Sequence, residues 1–114
     1  MKHWPTIMPE QIESLNSGLL LMRAGEEMEP TIRSDDLIFV DPEKRSCING
    51  GIFAIEIEGE VQFRRMEMHL AKKQIRFRVD NPLYHHGPND GWTLIDANEL
   101  NIVGRAVGYM RELY

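Results

Sequence analysis

Hydroxyl, thiol and imidazole groups are the first candidates for chemistry in this sequence. Ser14, Ser17, Ser34 and Ser46, the single cysteine Cys47, and His3, His69, His85 and His86 supply them. A nucleophile needs a base within hydrogen-bond reach. Nothing around Cys47 has that form, and it reads as half-buried filler before a turn. Ser34 lies in Arg33-Ser34-Asp35-Asp36, where no neutral base is evident and a hydroxyl that caps a turn is the simpler reading. Adjacent His85 and His86 would face opposite ways on a strand. They have neither Cys partners nor regular ligand spacing, and a loop beside Pro88 accounts for them. No metal site and no cofactor are predicted.

Bulk properties narrow the classes further. The 114 residues suffice for one core and not for two. With 42% hydrophobic and 27% charged residues, the chain has the balance of a soluble globular domain. The longest apolar run, Leu19-Leu20-Leu21-Met22, stops at Arg23, too short to span a bilayer. The first residues lack the apolar stretch of a secretory signal. One cysteine permits no internal disulfide, which fits a reducing cytoplasm. The net charge of −5 argues against a phosphate-gripping surface, which must bring many Lys and Arg to the backbone. Alternating Arg76-Phe77-Arg78 reads as the solvent face of a strand.

The elements that must position any site are mostly β. Residues 1–18 read as a linker or N-terminal arm, with a helical turn or two over Pro9–Leu15. Residues 19–114 read as one domain. Strands are predicted at Leu19–Arg23, Leu37–Val40, Ile52–Ile57, Glu60–Arg65, Ile75–Val79, Trp92–Ile95 and Ile102–Tyr109. Glu58-Gly59 marks a tight hairpin turn. A single-layer sheet is expected to bury too few apolar residues. The predicted fold is therefore a twisted β-sandwich or partly open barrel with one or two short helical turns.

One constellation says more. Gly25-Glu26-Glu27-Met28-Glu29-Pro30-Thr31-Ile32 reads as a loop with one helical turn, and Asp35-Asp36 leads into Leu37-Ile38-Phe39-Val40. Downstream come Val61-Gln62-Phe63-Arg64-Arg65, Asp80-Asn81-Pro82 and Val103-Gly104-Arg105-Ala106-Val107. In this order the segments resemble the C-terminal domain of the LexA and phage-repressor family, related to signal peptidases, over about Leu19 to Arg111. The family pattern is a Gly-x-Ser-Met-x-Pro-Thr loop, an Asp-Gly-Asp approach to a strand, a Val-x-x-Lys-Arg strand, an Asn-Pro turn and a terminal Gly-Arg-Val strand.

The resemblance implies a Ser nucleophile with a neutral Lys base that cuts the repressor's own linker. Here Glu27 stands at the Ser position and Arg64 at the Lys position, 37 positions on (27 to 64). A guanidinium stays protonated, with a pKa above about 12, and cannot serve as the base. The chain is therefore expected not to be an enzyme. A carboxylate and a guanidinium can pair through two parallel hydrogen bonds. A direct Glu27–Arg64 ion pair is expected at the degenerate positions, helped by a helix dipole if Glu27 begins a turn. The alternative is that both face solvent and never meet. Asp35, where the family has Gly, tolerates a positive φ better than most residues.

The resemblance also implies partners. DNA is read by a separate N-terminal helix-turn-helix domain outside this chain. The present domain makes homodimers and larger homo-oligomers, so that two heads grip a symmetric operator cooperatively. Candidate self-association residues are Met66 and Met68, from an alternating strand, and Val107, Tyr109, Met110, Leu113 and Tyr114 near the C-terminus. With cleavage lost, an antirepressor protein is a further candidate partner. An active self-cleaving serine peptidase with an unconventional site is the competing reading.

Overall fold

The computed structural model describes residues 18–85 and 91–111. The helical turns expected over Pro9–Leu15, the candidates Leu113 and Tyr114, and His3 and His86 lie outside the described residues. Among the described residues seven strands follow in order: β1 (Leu20–Arg23), β2 (Leu37–Asp41), β3 (Gly51–Ile57), β4 (Glu60–His69), β5 (Gln74–Arg78), β6 (Thr93–Asp96) and β7 (Asn101–Met110). Short 3-10 turns occupy Leu70–Lys72, Pro82–Tyr84 and Ala97–Glu99.

The strands make one antiparallel sheet in the order β1-β2-β7-β3-β4-β5-β6. Of the expected architectures, the open one is found: the sheet is mostly β, continuous and not closed into a barrel. One sheet does bury the apolar residues, because both faces are covered. On β3, Phe53, Ala54 and Ile55 are all buried, and successive strand residues point to opposite faces. Ala54 stands opposite Phe63 of β4 and shares a core with Met28, Ile32, Ile38 and Val40. Phe53 and Ile55 share the other core with Cys47, Met66 and Ile75.

Two local rules shape the sheet. The β3–β4 turn uses Glu58 and Gly59 at φ 51 and 85, the left-handed pair that matches the twist of a hairpin. Gly104 of β7 lies against the Asp41–Pro42 backbone. A Cβ there would collide with the Asp41 carbonyl and lie 2.9 Å from Pro42 Cα. That close approach is the reason for the glycine in the Val103-Gly104-Arg105 segment.

Several expectations change. Residues 25–32 form successive turns and no helix. Ile32 N–H reaches Met28 O at 3.0 Å, but the pattern does not propagate, so no helix dipole acts on Glu27. Cys47 is fully buried; burial pushes its thiol pKa up. Met66 is fully buried and Met68 is half-buried against the same core. The alternating Met66/Met68 face therefore packs inward, where Phe77, Ile95, Ala97 and Leu100 join it, and Met66 is not a surface for association.

Candidate functional site

The turns at 25–32 lie beside β4 just where β5 stops pairing with it. The β4–β5 ladder runs from His69 back to Arg65. Toward Glu60, β4 has β3 as its sheet neighbour. Here the Glu27 carboxylate accepts a long hydrogen bond from Phe63 N–H at 3.4 Å. Arg64 donates to the Phe63 carbonyl at 2.8 Å and to Gln62 Oε1 at 2.7 Å. Glu27 and Arg64 are thus brought to the same stretch of strand edge. The expected direct pair is absent among the described ion pairs; two of the guanidinium's N–H groups point to Phe63 and Gln62 instead. Burial lowers the Arg64 pKa and the nearby Glu27 charge opposes that shift. The two side chains sense each other through charge and share a neighbour in Phe63.

A second layer of contacts fixes the loop. Asn81 N–H reaches Glu27 O at 3.0 Å, and Asn81 Nδ2 reaches Glu26 O at 3.0 Å. Asn81 Oδ1 also caps the turn at Pro82–Tyr84 by accepting from Leu83 N–H at 3.0 Å. Tyr84 donates its hydroxyl to Glu26, which raises the phenol pKa. Asp80 N–H points at Met28 Sδ, 3.4 Å away. The Asn-Pro turn is thereby the scaffold that holds Glu27.

Asp80 is the charged centre of that scaffold. Arg65 grips it with two hydrogen bonds, Nε to Oδ1 at 2.8 Å and Nη2 to Oδ2 at 2.7 Å. Thr31 Oγ1 donates to Oδ2 at 2.6 Å, and Arg78 Nε lies 3.8 Å from Oδ1. Burial pushes the Asp80 carboxyl up, but the bonds from Arg65 and Thr31 and the charges of Arg65 and Arg78 outweigh it and leave the pKa lowered. The strand expected to present Arg76 and Arg78 to solvent is partly covered. Both guanidinium groups lie over Trp92, at 4.2 and 5.0 Å from the ring centre, and Arg76 pairs with Glu67 at 2.9 Å.

Asp36 is a second buried acid. Arg111 holds it with two bonds of 2.8 Å, and Arg33 N–H adds one at 2.9 Å. The Arg111 hydrogen bond is the main cause of its lowered pKa. Its neighbour Asp35 has φ 73, the positive value that the Asp-for-Gly departure anticipates.

Of the association candidates, Val107, Tyr109 and Met110 are exposed at the end of β7. Ser34 donates its backbone N–H to Glu29 at 3.2 Å. His85 Nε2 lies 2.7 Å from Val79 O. Among the described residues, no group of three or more His, Cys, Asp or Glu is placed to hold a metal. No described helix is long and apolar enough to cross a membrane. Sequence reasoning missed the Arg65–Asp80 and Asp36–Arg111 clamps. Asp80-Asn81-Pro82 and Asp35-Asp36 were the available signals, but they predict backbone shape and do not name a distant arginine.

An open antiparallel sheet thus carries a loop braced against a strand edge, with an acid on the loop and a cation on the strand. The chain belongs to the Peptidase S24-like family, whose model matches residues 6–107. That family includes LexA and phage-repressor C-terminal domains, and contains both active peptidases and inactive repressors. No curated protein matches the chain.

Proposed function

We propose that this chain is the self-association domain of a transcription repressor, and that it has lost the self-cleavage its family is built for. The observation that carries the loss of cleavage is the state of the degenerate positions. Glu27 and Arg64 stand where the resemblance puts nucleophile and base. Burial lowers the Arg64 pKa, but a guanidinium starts too high to release a proton near neutrality. Two of its N–H groups are engaged by Phe63 and Gln62.

Self-association is supported by the end of β7. Past Arg105 that strand keeps β2 as its only paired neighbour among the described residues. There Val107, Tyr109 and Met110 expose apolar area. An unpaired strand edge with apolar side chains is a template for another chain, and a two-fold axis lets two copies offer the same edge. The arginines favour this over a grip on phosphate: Arg65, Arg76, Arg78 and Arg111 each face a carboxylate within the domain. DNA reading then belongs to a separate domain, and dimerisation supplies cooperativity by raising the effective concentration of the second head.

Sedimentation velocity over a wide concentration range tests the association. Growth from monomer to a discrete dimer, or on to a larger species, is expected. Intact mass after long alkaline incubation tests the chemistry. The wild-type chain and Glu27→Ser should both stay whole, because Arg64 remains a cation in each; a defined cleavage product from the wild-type chain would restore the peptidase reading.

A further inference from the structure

The exposed end of β7 has an unusual support. Its last paired rung is Leu37 with Met110. Asp36 lies one residue before β2 and Arg111 one residue after β7, so their two 2.8 Å hydrogen bonds close the ladder beyond its last rung. Asp36 is only 2% exposed. It is itself anchored, through its side chain by Arg33 N–H at 2.9 Å and through its carbonyl by Ala24 N–H at 2.8 Å. Arg111 also lies over the Tyr109 ring, 4.9 Å from its centre.

A strand end with one sheet neighbour should fray, since few contacts oppose local opening. A fraying edge would be a poor template, because a partner would have to order it on binding. Bidentate arginine–carboxylate bonds are short, directional and geometrically specific. They fix the Tyr109-Met110 end against an anchor inside the fold.

We infer that the Asp36–Arg111 clamp is a positioning device for the β7 edge, holding it in register for a second copy of this chain. The inference rests on the self-association reading. It adds that the apolar residues are insufficient without the clamp. Arg111 acts through Tyr109 and the β7 backbone, and the anchored partner is Asp36.

Three variants of the 114-residue chain test it by sedimentation velocity: Arg111→Ala, Arg111→Lys and Tyr109→Ser. Amide hydrogen exchange is read alongside, at a concentration where all are monomers. Arg111→Ala should weaken association about tenfold or more, which is roughly 1.4 kcal/mol. Exchange at Val107–Met110 should accelerate while that at Phe53–Ile55 stays as in the wild type. Arg111→Lys should recover part of the association, since it restores the charge but not the two parallel bonds; it also decides the matter if Arg111→Ala fails to fold. Unchanged association in the arginine variants, with weakening in Tyr109→Ser, would overturn the clamp and leave the self-association reading standing. Unchanged association in Tyr109→Ser as well would remove the β7 edge and the clamp together. Equal acceleration of exchange at β3 and β7 would make the clamp general support for the fold and overturn the inference.

Discussion

The loop beside β4 and the free end of β7 are built in opposite ways. Around Glu27 the polar groups bond to one another: Asn81 ties two backbone carbonyls, Asp80 collects Arg65 and Thr31, and Arg64 turns back on its own strand. At the end of β7 the side chains are apolar and outward, with Tyr109 55% and Met110 48% exposed. The first region ties its loop, the Asn-Pro turn and β4 together through polar side chains. The second leaves apolar side chains exposed, and the self-association proposal rests on them. In the proposed function, the first region braces a loop and the second carries self-association.

The largest effect should come from breaking the ground under the first region. Phe63 is wholly buried between the loop and the sheet. Phe63→Ala should lower stability by about 3–5 kcal/mol, read by denaturant unfolding. An effect below about 1 kcal/mol would mean that the loop does not close over this core.

The next effect separates the two buried acids. Asp80→Ala strands Arg65, whose side chain is about one-third exposed. A cost of about 2 kcal/mol is expected, below that of a fully buried pair because water reaches the arginine. Both Asp80 and Asp36 have folded-state pKa values below their ordinary ones. Their stabilisation is present above the unfolded value, about 3.9, and is lost as pH falls through the lower folded values. Acid unfolding should therefore steepen below about pH 4 in the wild type. Asp80→Asn and Asp36→Asn should each flatten part of that fall. Parallel pH curves for the wild type and both variants would contradict the role given to these clamps.

The smallest effect concerns Glu27 and Arg64 themselves. They share Phe63 without a direct bond. A double-mutant cycle should therefore give a coupling of no more than about 0.5–1 kcal/mol. A coupling of several kcal/mol would show that the direct pair forms in solution.

Much of this arrangement is legible in the sequence. Alternation in Ile75-Arg76-Phe77-Arg78 and the apolar block Ile52-Phe53-Ala54-Ile55 give strands within a residue or two of those found. Glu58-Gly59 gives the hairpin, and Asp35 in place of Gly gives the positive φ. The turns at 25–32 read as helical because Pro30 in a short polar segment suits a helix start equally well. Strand order is another matter. β7 enters between β2 and β3, a pairing that joins residues some 70 positions apart, such as Ile38 with Tyr109, and local pattern carries no signal for it. The same distance hides Asp36–Arg111. Met66 misleads because an alternating face looks alike whether core or partner covers it; only the placement of β5, β6 and the turn at Ala97–Glu99 decides.

Sedimentation velocity of the wild-type chain against a Tyr109→Ser, Met110→Ser double variant tests whether the free end of β7 holds two copies together. A concentration-dependent dimer is expected for the wild type, and a variant that stays folded and monomeric at the same concentrations. A wild-type chain that remains a monomer throughout, or a variant that associates as strongly as the wild type, would contradict it.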